Sequence, residues 1–125
     1  MFKGLIEIGS RIQGAFQQIP GSLTAIAVGG LGTEVWGIDA NQNVFRLDAA
    51  SQTFVNVPGK LKSIAVGGPL LGIDIWGIDA NQNIFAFSAS SQSFVQFPGQ
   101  LTQISVFGLN VWGINANQNI FRLLF

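Results

Sequence analysis

From Leu23 to the end of the chain, apolar residues fall into short runs that alternate with small or polar ones and stop at clusters of Gly, Asn, Asp, Ser and Pro. Period-two patterning bounded by turn residues predicts β-strands, and no segment carries a convincing helical period. Leu23-Thr24-Ala25-Ile26-Ala27-Val28 sets β-branched residues against small ones and closes on Gly29-Gly30. That pattern suits an inner strand with one crowded face. Leu61 to Val66 and Leu101 to Val106 repeat it. The second strand carries a tryptophan, at Glu34 to Ile38, Asp74 to Ile78 and Asn110 to Ile114. A third follows at Val44 to Leu47, Ile84 to Phe87 and Ile120 to Leu123. The fourth spans Phe54 to Gly59 and Phe94 to Gly99, and the same pattern stands ahead of the first unit from Phe16 to Gly21. Pro20, Pro58 and Pro98 cannot donate to a ladder, so they mark the end of that strand on an outer edge.

Between the second and third strands the chain repeats itself almost word for word. Val35-Trp36-Gly37-Ile38-Asp39-Ala40-Asn41-Gln42-Asn43-Val44-Phe45 returns at Ile75 to Phe85 and again at Val111 to Phe121. Trp36 to Trp76 is 40 positions and Trp76 to Trp112 is 36. Four antiparallel strands at that period are the mark of a propeller blade. The sequence therefore predicts one all-β domain over residues 1–125, a β-propeller of four-stranded antiparallel blades with three blades to the chain. Two blades lie at about 23–57 and 61–97; the closing blade is split between strand four at about 16–20 and strands one to three at about 101–123. Closed propellers have about 4–8 blades, so three wedge-shaped sheets cannot meet around an axis. An open arc leaves two apolar faces in water. Two arcs related by a two-fold axis cover both and give a six-bladed ring by homodimerisation, strand four of one chain completing the last sheet of the other.

Composition narrows the partners. The 125 residues are 48% hydrophobic and only 10% charged, so many surfaces are expected to be covered. Six Lys and Arg balance six Asp and Glu, which gives nothing to hold a phosphate backbone, and nucleic acid is not expected as a partner. The most apolar stretch, Ile64 to Ile78, is broken by Gly67, Gly68, Pro69, Gly72, Asp74 and Gly77. It is no membrane helix, and the strand runs are shorter than the roughly 9–11 residues of a membrane barrel, so no membrane insertion is expected. Met1 to Ile8 lacks a signal-peptide core, and the expectation is a cytoplasmic protein or one released without a leader.

The units resemble tectonin repeats, the blades of fish-egg-lectin and tachylectin-like propellers. The residues carrying the likeness are Val35-Trp36-Gly37-Ile38 leading into Asn41-Gln42-Asn43-Val44-Phe45, then Phe54-Val55-Asn56-Val57-Pro58-Gly59-Lys60-Leu61-Lys62-Ser63-Ile64-Ala65-Val66-Gly67. The pattern extends over about Phe16 to Leu123. The resemblance implies a six-bladed propeller that binds glycans or bacterial surface polysaccharide. This chain departs from it in carrying half the blades and in lacking longer loops. The alternative reading is a non-catalytic structural or protein-interaction propeller without sugar affinity.

Strand alternation puts the 2–3 and 4–1 connections on one face, so the amide-rich turns and the Pro-Gly turns share it. The 1–2 connections vary in length and lie on the other. On the first face Asn41, Asn43, Asn81, Asn83, Asn117 and Asn119 are candidate sugar ligands, since amides both donate to and accept from hydroxyls. Trp36, Trp76 and Trp112 either stack on sugar rings or pack between blades beside Phe45, Phe85 and Phe121. Asp39-Ala40-Asn41-Gln42-Asn43 has the outline of a calcium loop but lacks the following Gly and the distal Glu, and Asn115 replaces the acid in the third copy. Turn chemistry explains it better, and neither metal nor cofactor is expected. Arg46 and Arg122 share one repeat position where the middle copy has Ala86. The glycine-rich Gly29 to Gly32 precedes no helix and matches no phosphate loop. With no His, Cys or Tyr, no catalytic residue is proposed and no enzyme is expected.

Overall fold

Three antiparallel meanders follow one another along the chain, as the repeat predicts. The computed structural model describes residues 6–8, 11–30, 32–68 and 74–124, the two leading strands by their backbone. Strands β1 (Ile6–Ile8) and β2 (Arg11–Gln13) pair as a short hairpin. The first sheet is β3 (Ala25–Gly29), β4 (Glu34–Ile38), β5 (Asn43–Asp48) and β6 (Thr53–Lys60). The second is β7 (Ser63–Val66), β8 (Ile75–Ile78), β9 (Asn83–Ser88) and β10 (Ser93–Gln100). The third has three strands, β11 (Gln103–Phe107), β12 (Asn110–Ile114) and β13 (Ile120–Arg122). No helix forms among the described residues.

Register sorts side chains onto two faces. Ala27 pairs with Trp36, Trp36 with Arg46 and Arg46 with Val55, so these four share a forward face. Gly37 pairs with Ile26 and Phe45, which puts Ile26, Phe45 and Leu47 on the rear face. The forward face of the first sheet (Trp36, Ile38, Val44, Val57) packs on Leu61, Ile75 and Phe87 of the second. The forward face of the second (Trp76, Ile78, Ile84) packs in the same way on Leu101 and Val111 of the third. Each fully buried apolar side chain contributes about 1.5–3 kcal/mol, so stability lies between the sheets rather than within them. Strands of the first and third sheets do not touch among the described residues, which form an open arc.

Glycine sets how closely successive sheets approach. A Cβ on Gly67 would collide with the Val106 carbonyl of the next sheet, and one on Gly68 with the backbone of Gly108. The innermost strands thus converge at the Gly-Gly ends that the sequence places after strand one. In the repeated Trp-Gly pair, Gly37, Gly77 and Gly113 leave room for Leu23, Leu61 and Leu101 to lie flat on strand two.

Two details of strand four differ from the sequence reading. Strand four continues past its proline: Val44 pairs with Val57 but Asn43 with Lys60, so Pro58 and Gly59 bulge from the ladder, and Pro98 and Gly99 do the same. A bulge tolerates the missing N–H as well as an edge does. The segment expected as strand four at 16–20 carries no strand in the single chain, and Phe16 is wholly exposed. A strand exists only against an edge, and the edge expected for this one is that of β13 in a second copy.

Candidate functional site

Each 2–3 turn is built by its first residue. Asp39 Oδ1 accepts from the backbone N–H of Asn41 and of Asn43, both at 2.9 Å, and Asp79 accepts likewise from Asn81 and Asn83. In the third copy Asn115 Oδ1 takes the same bonds from Asn117 and Asn119 at 3.0 and 2.9 Å. That explains why an amide can replace the acid: the turn needs an acceptor, not a charge. The turns close with Gln42, Gln82 and Gln118 at φ of 66°, 69° and 67°.

The six candidate asparagines divide into two kinds. Asn43 and Asn83 donate Nδ2 to Asp39 Oδ2 and Asp79 Oδ2 at 3.1 Å, so these amides hold the turn. Asn41, Asn81 and Asn117 are exposed, and their side chains take no part in the turn bonding. Asn119 is exposed too: no fourth strand lies beside it as β6 and β10 lie beside Asn43 and Asn83. The structure also brings in residues that the sequence reading missed. Lys60 Nζ donates to the Asn41 carbonyl at 3.3 Å, and Gln100 Nε2 to the Asn81 carbonyl at 3.2 Å. The Leu61 N–H donates to the Gln42 carbonyl at 3.1 Å, which ties the turn of one sheet to the first strand of the next. These contacts put the 2–3 turns and the 4–1 connections together on one face. A signal was present: Lys60 and Gln100 hold one polar repeat position just before the first-strand leucine.

Partial burial raises the Asp39 carboxyl, but the Asn43 side chain, the N–H groups of Asn43 and Asn41 and the Lys60 charge outweigh it and hold its pKa below the ordinary 3.8. Asp79 is lowered too: burial raises it, while the backbone and side chain of Asn43's counterpart Asn83 and the Asn81 N–H lower it further. A depressed carboxyl stabilises the fold above its unfolded pKa and loses that contribution as pH falls through the folded value. The Asp39→Asn, Asp79→Asn double variant is therefore expected to melt with a shallower pH dependence below about pH 4 than the parent. Thermal melts from about pH 6 to pH 2 check it, and an unchanged slope would contradict the assignment of both carboxylates.

The tryptophans do not form a uniform set. Trp36 is 0% exposed and Trp76 is 3% exposed, so neither offers a ring face to a sugar, and the packing alternative holds for both. Trp36 meets Phe87 and Phe94 of the next sheet edge-on, at 4.9 and 5.9 Å, and donates Nε1–H to Glu34 at 3.1 Å. Trp112 is 47% exposed because no further sheet among the described residues covers it. Arg46 bridges to Glu34 at 3.3 Å and lies 5.3 Å over the Trp36 ring. Arg122 lies 5.5 Å over Trp112.

An open cavity of about 430 Å³ separates the second and third sheets, lined by Trp76, Phe97, Phe121 and Leu123. At the junction between the first two sheets Phe94 of strand four fills the corresponding space against Trp36 and Phe87. Among the described residues no three His, Cys, Asp or Glu gather as a metal site. The family model of the Tectonin domain matches residues 6–124. No curated protein matches the sequence.

Proposed function

The chain belongs to the Tectonin domain family, and from that premise we propose that it is a non-catalytic carbohydrate-binding protein acting as a two-subunit, six-bladed β-propeller. The observation that carries the binding reading is the threefold repetition, on one face, of an exposed asparagine on a rigid turn: Asn41, Asn81 and Asn117. Rigid presentation lowers the ordering cost of binding, and the amides suit the hydroxyls of a glycan or surface polysaccharide. The neighbouring acids Asp39 and Asp79 are engaged in their own turns, which leaves them holding shape rather than doing chemistry.

The ring reading is supported by what the arc leaves open. On the rear face of the first sheet Ile26 is 64% and Val28 is 57% exposed, while Ile64 and Val66 at the same places in the second sheet are partly covered. On the forward face of the third sheet Trp112 and Ile120 are exposed, where Trp36 and Val44 are fully buried. Each open face is the type that covers the other within the chain. A second copy brings Leu47 and Phe54 to Trp112, as Phe87 and Phe94 come to Trp36. It also brings Phe16 to the cavity beside β13.

Changing Asn41, Asn81 and Asn117 together to Ala is expected to lower glycan-array binding at least about tenfold, since losing several weak sites multiplies through avidity. The melting temperature stays the same and EDTA has no effect. Unchanged binding would move the site elsewhere on the ring. Binding of no glycan by the parent protein would leave an interaction propeller.

A further inference from the structure

The two arginines at one repeat position stand in opposite surroundings. Arg46 is paired with Glu34 at 3.3 Å, and Asp48 follows two residues along β5 on the same face. In the third sheet Arg122 keeps its tryptophan, 5.5 Å below the guanidinium, but loses both acids. Asn110 stands in the place of Glu34, and Leu124 in the place of Asp48. Arg122 is exposed, and no carboxylate bridges it among the described residues. The middle copy has Ala86 there, so the cation itself is present at only two of three positions.

In the two-subunit ring, a reading on which the inference rests, the junction beyond Trp112 is built like the junction beyond Trp36. At the latter, Arg46 Nη1 donates to Gln92 Oε1, on the 3–4 turn of the next sheet, at 3.5 Å. Beyond Trp112 the next 3–4 turn belongs to the other chain, and Gln52 of the partner subunit takes the place of Gln92. Strand four comes from that chain as well. Arg46 pairs with Val55 across β5 and β6, and the same register sets Gln17 of the partner subunit beside Arg122. Arg122 thus gains two neutral amides and no counter-ion.

We propose that each subunit junction is a binding site for the carboxylate of an acidic sugar, gripped by Arg122 on the Trp112 ring and flanked by Gln17 and Gln52 of the partner subunit. The planar guanidinium matches a carboxylate through two parallel N–H···O bonds, and the indole beneath keeps it oriented. The amides reach hydroxyls on either side of the acid. A ring of two chains has two such sites, while Glu34 fills the equivalent place at each Arg46.

Calorimetric titration with oligogalacturonate, neutral dextran and dextran sulfate tests this. The intact dimer is expected to bind oligogalacturonate about tenfold or more tightly than neutral dextran, because a charge-assisted pair is added. Arg122→Gln removes that preference at unchanged molar mass, and Arg122→Lys, which keeps the charge without the fork, restores only part of it. Retention of the preference by Arg122→Gln would overturn the proposal. So would dextran sulfate binding as tightly as oligogalacturonate, which would indicate charge attraction alone. Neutral glycans binding while oligogalacturonate does not would overturn this site and leave the lectin reading standing. Failure of every glycan on an array would overturn both.

Discussion

A chain beginning at Gly21 is expected to lose the two-subunit ring and most of its resistance to heat, whereas one beginning at Gly14 keeps both. The difference is the segment holding Phe16 and Ile19, which are 109% and 42% exposed in the single chain. Its expected seat is the β13 edge, where Ile120 is 72% and Phe121 is 48% exposed. The counterparts of Ile120, Val44 and Ile84, are buried under β6 and β10. Covering each such side chain is worth about 1.5–3 kcal/mol, and each junction covers several. Folding and assembly are coupled in such a ring, so the parent should melt at a temperature that rises with protein concentration. Size-exclusion chromatography and melts at two concentrations check this. A shortened chain from Gly21 that elutes and melts like the parent would show that residues 14–20 seat on nothing.

Trp36→Ala and Trp112→Ala are expected to fail in different ways although both sit in the same Val-Trp-Gly-Ile run. Trp36 is 0% exposed, packs edge-on against Phe87 and Phe94, and lies beneath Arg46. Its removal leaves a cavity costing about 3–5 kcal/mol, a large share of the roughly 5–15 kcal/mol that holds a domain folded. Little folded protein should remain at 37 °C. Trp112 sits on the open forward face, so its loss acts on association first. The expected result is a protein with near-parental secondary structure that dissociates on dilution. Circular dichroism melts with sedimentation across a dilution series separate the two. A Trp112→Ala variant as tightly associated as the parent would remove that face from the interface.

Most of the strand plan was legible in the sequence, for a physical reason. Apolar alternation and turn chemistry are written locally, so Glu34 to Ile38 and Asn110 to Ile114 emerge at the bounds the pattern gives them. What the sequence could not give were facts of neighbourhood. Asn41 and Asn43 are indistinguishable as letters, yet one faces solvent and the other is bonded to Asp39 across the turn. Trp36, Trp76 and Trp112 read alike, and only the order of sheets along the arc makes two of them core and leaves the third half open. The β1–β2 hairpin was missed because Ile6–Ile8 and Arg11–Gln13 are too short to show a period. Phe16 to Gly21 carries the pattern of strand four without the strand, because a pattern specifies an edge-seeking segment and not the edge it finds.

The most direct test is the molar mass of the intact chain in solution, measured by light scattering over a wide concentration range. Two arcs closing one ring give twice the 13.3 kDa of the single chain, with dissociation only on strong dilution and loss of structure accompanying it. A folded particle of 13.3 kDa at every concentration would contradict the ring, and with it the subunit junctions.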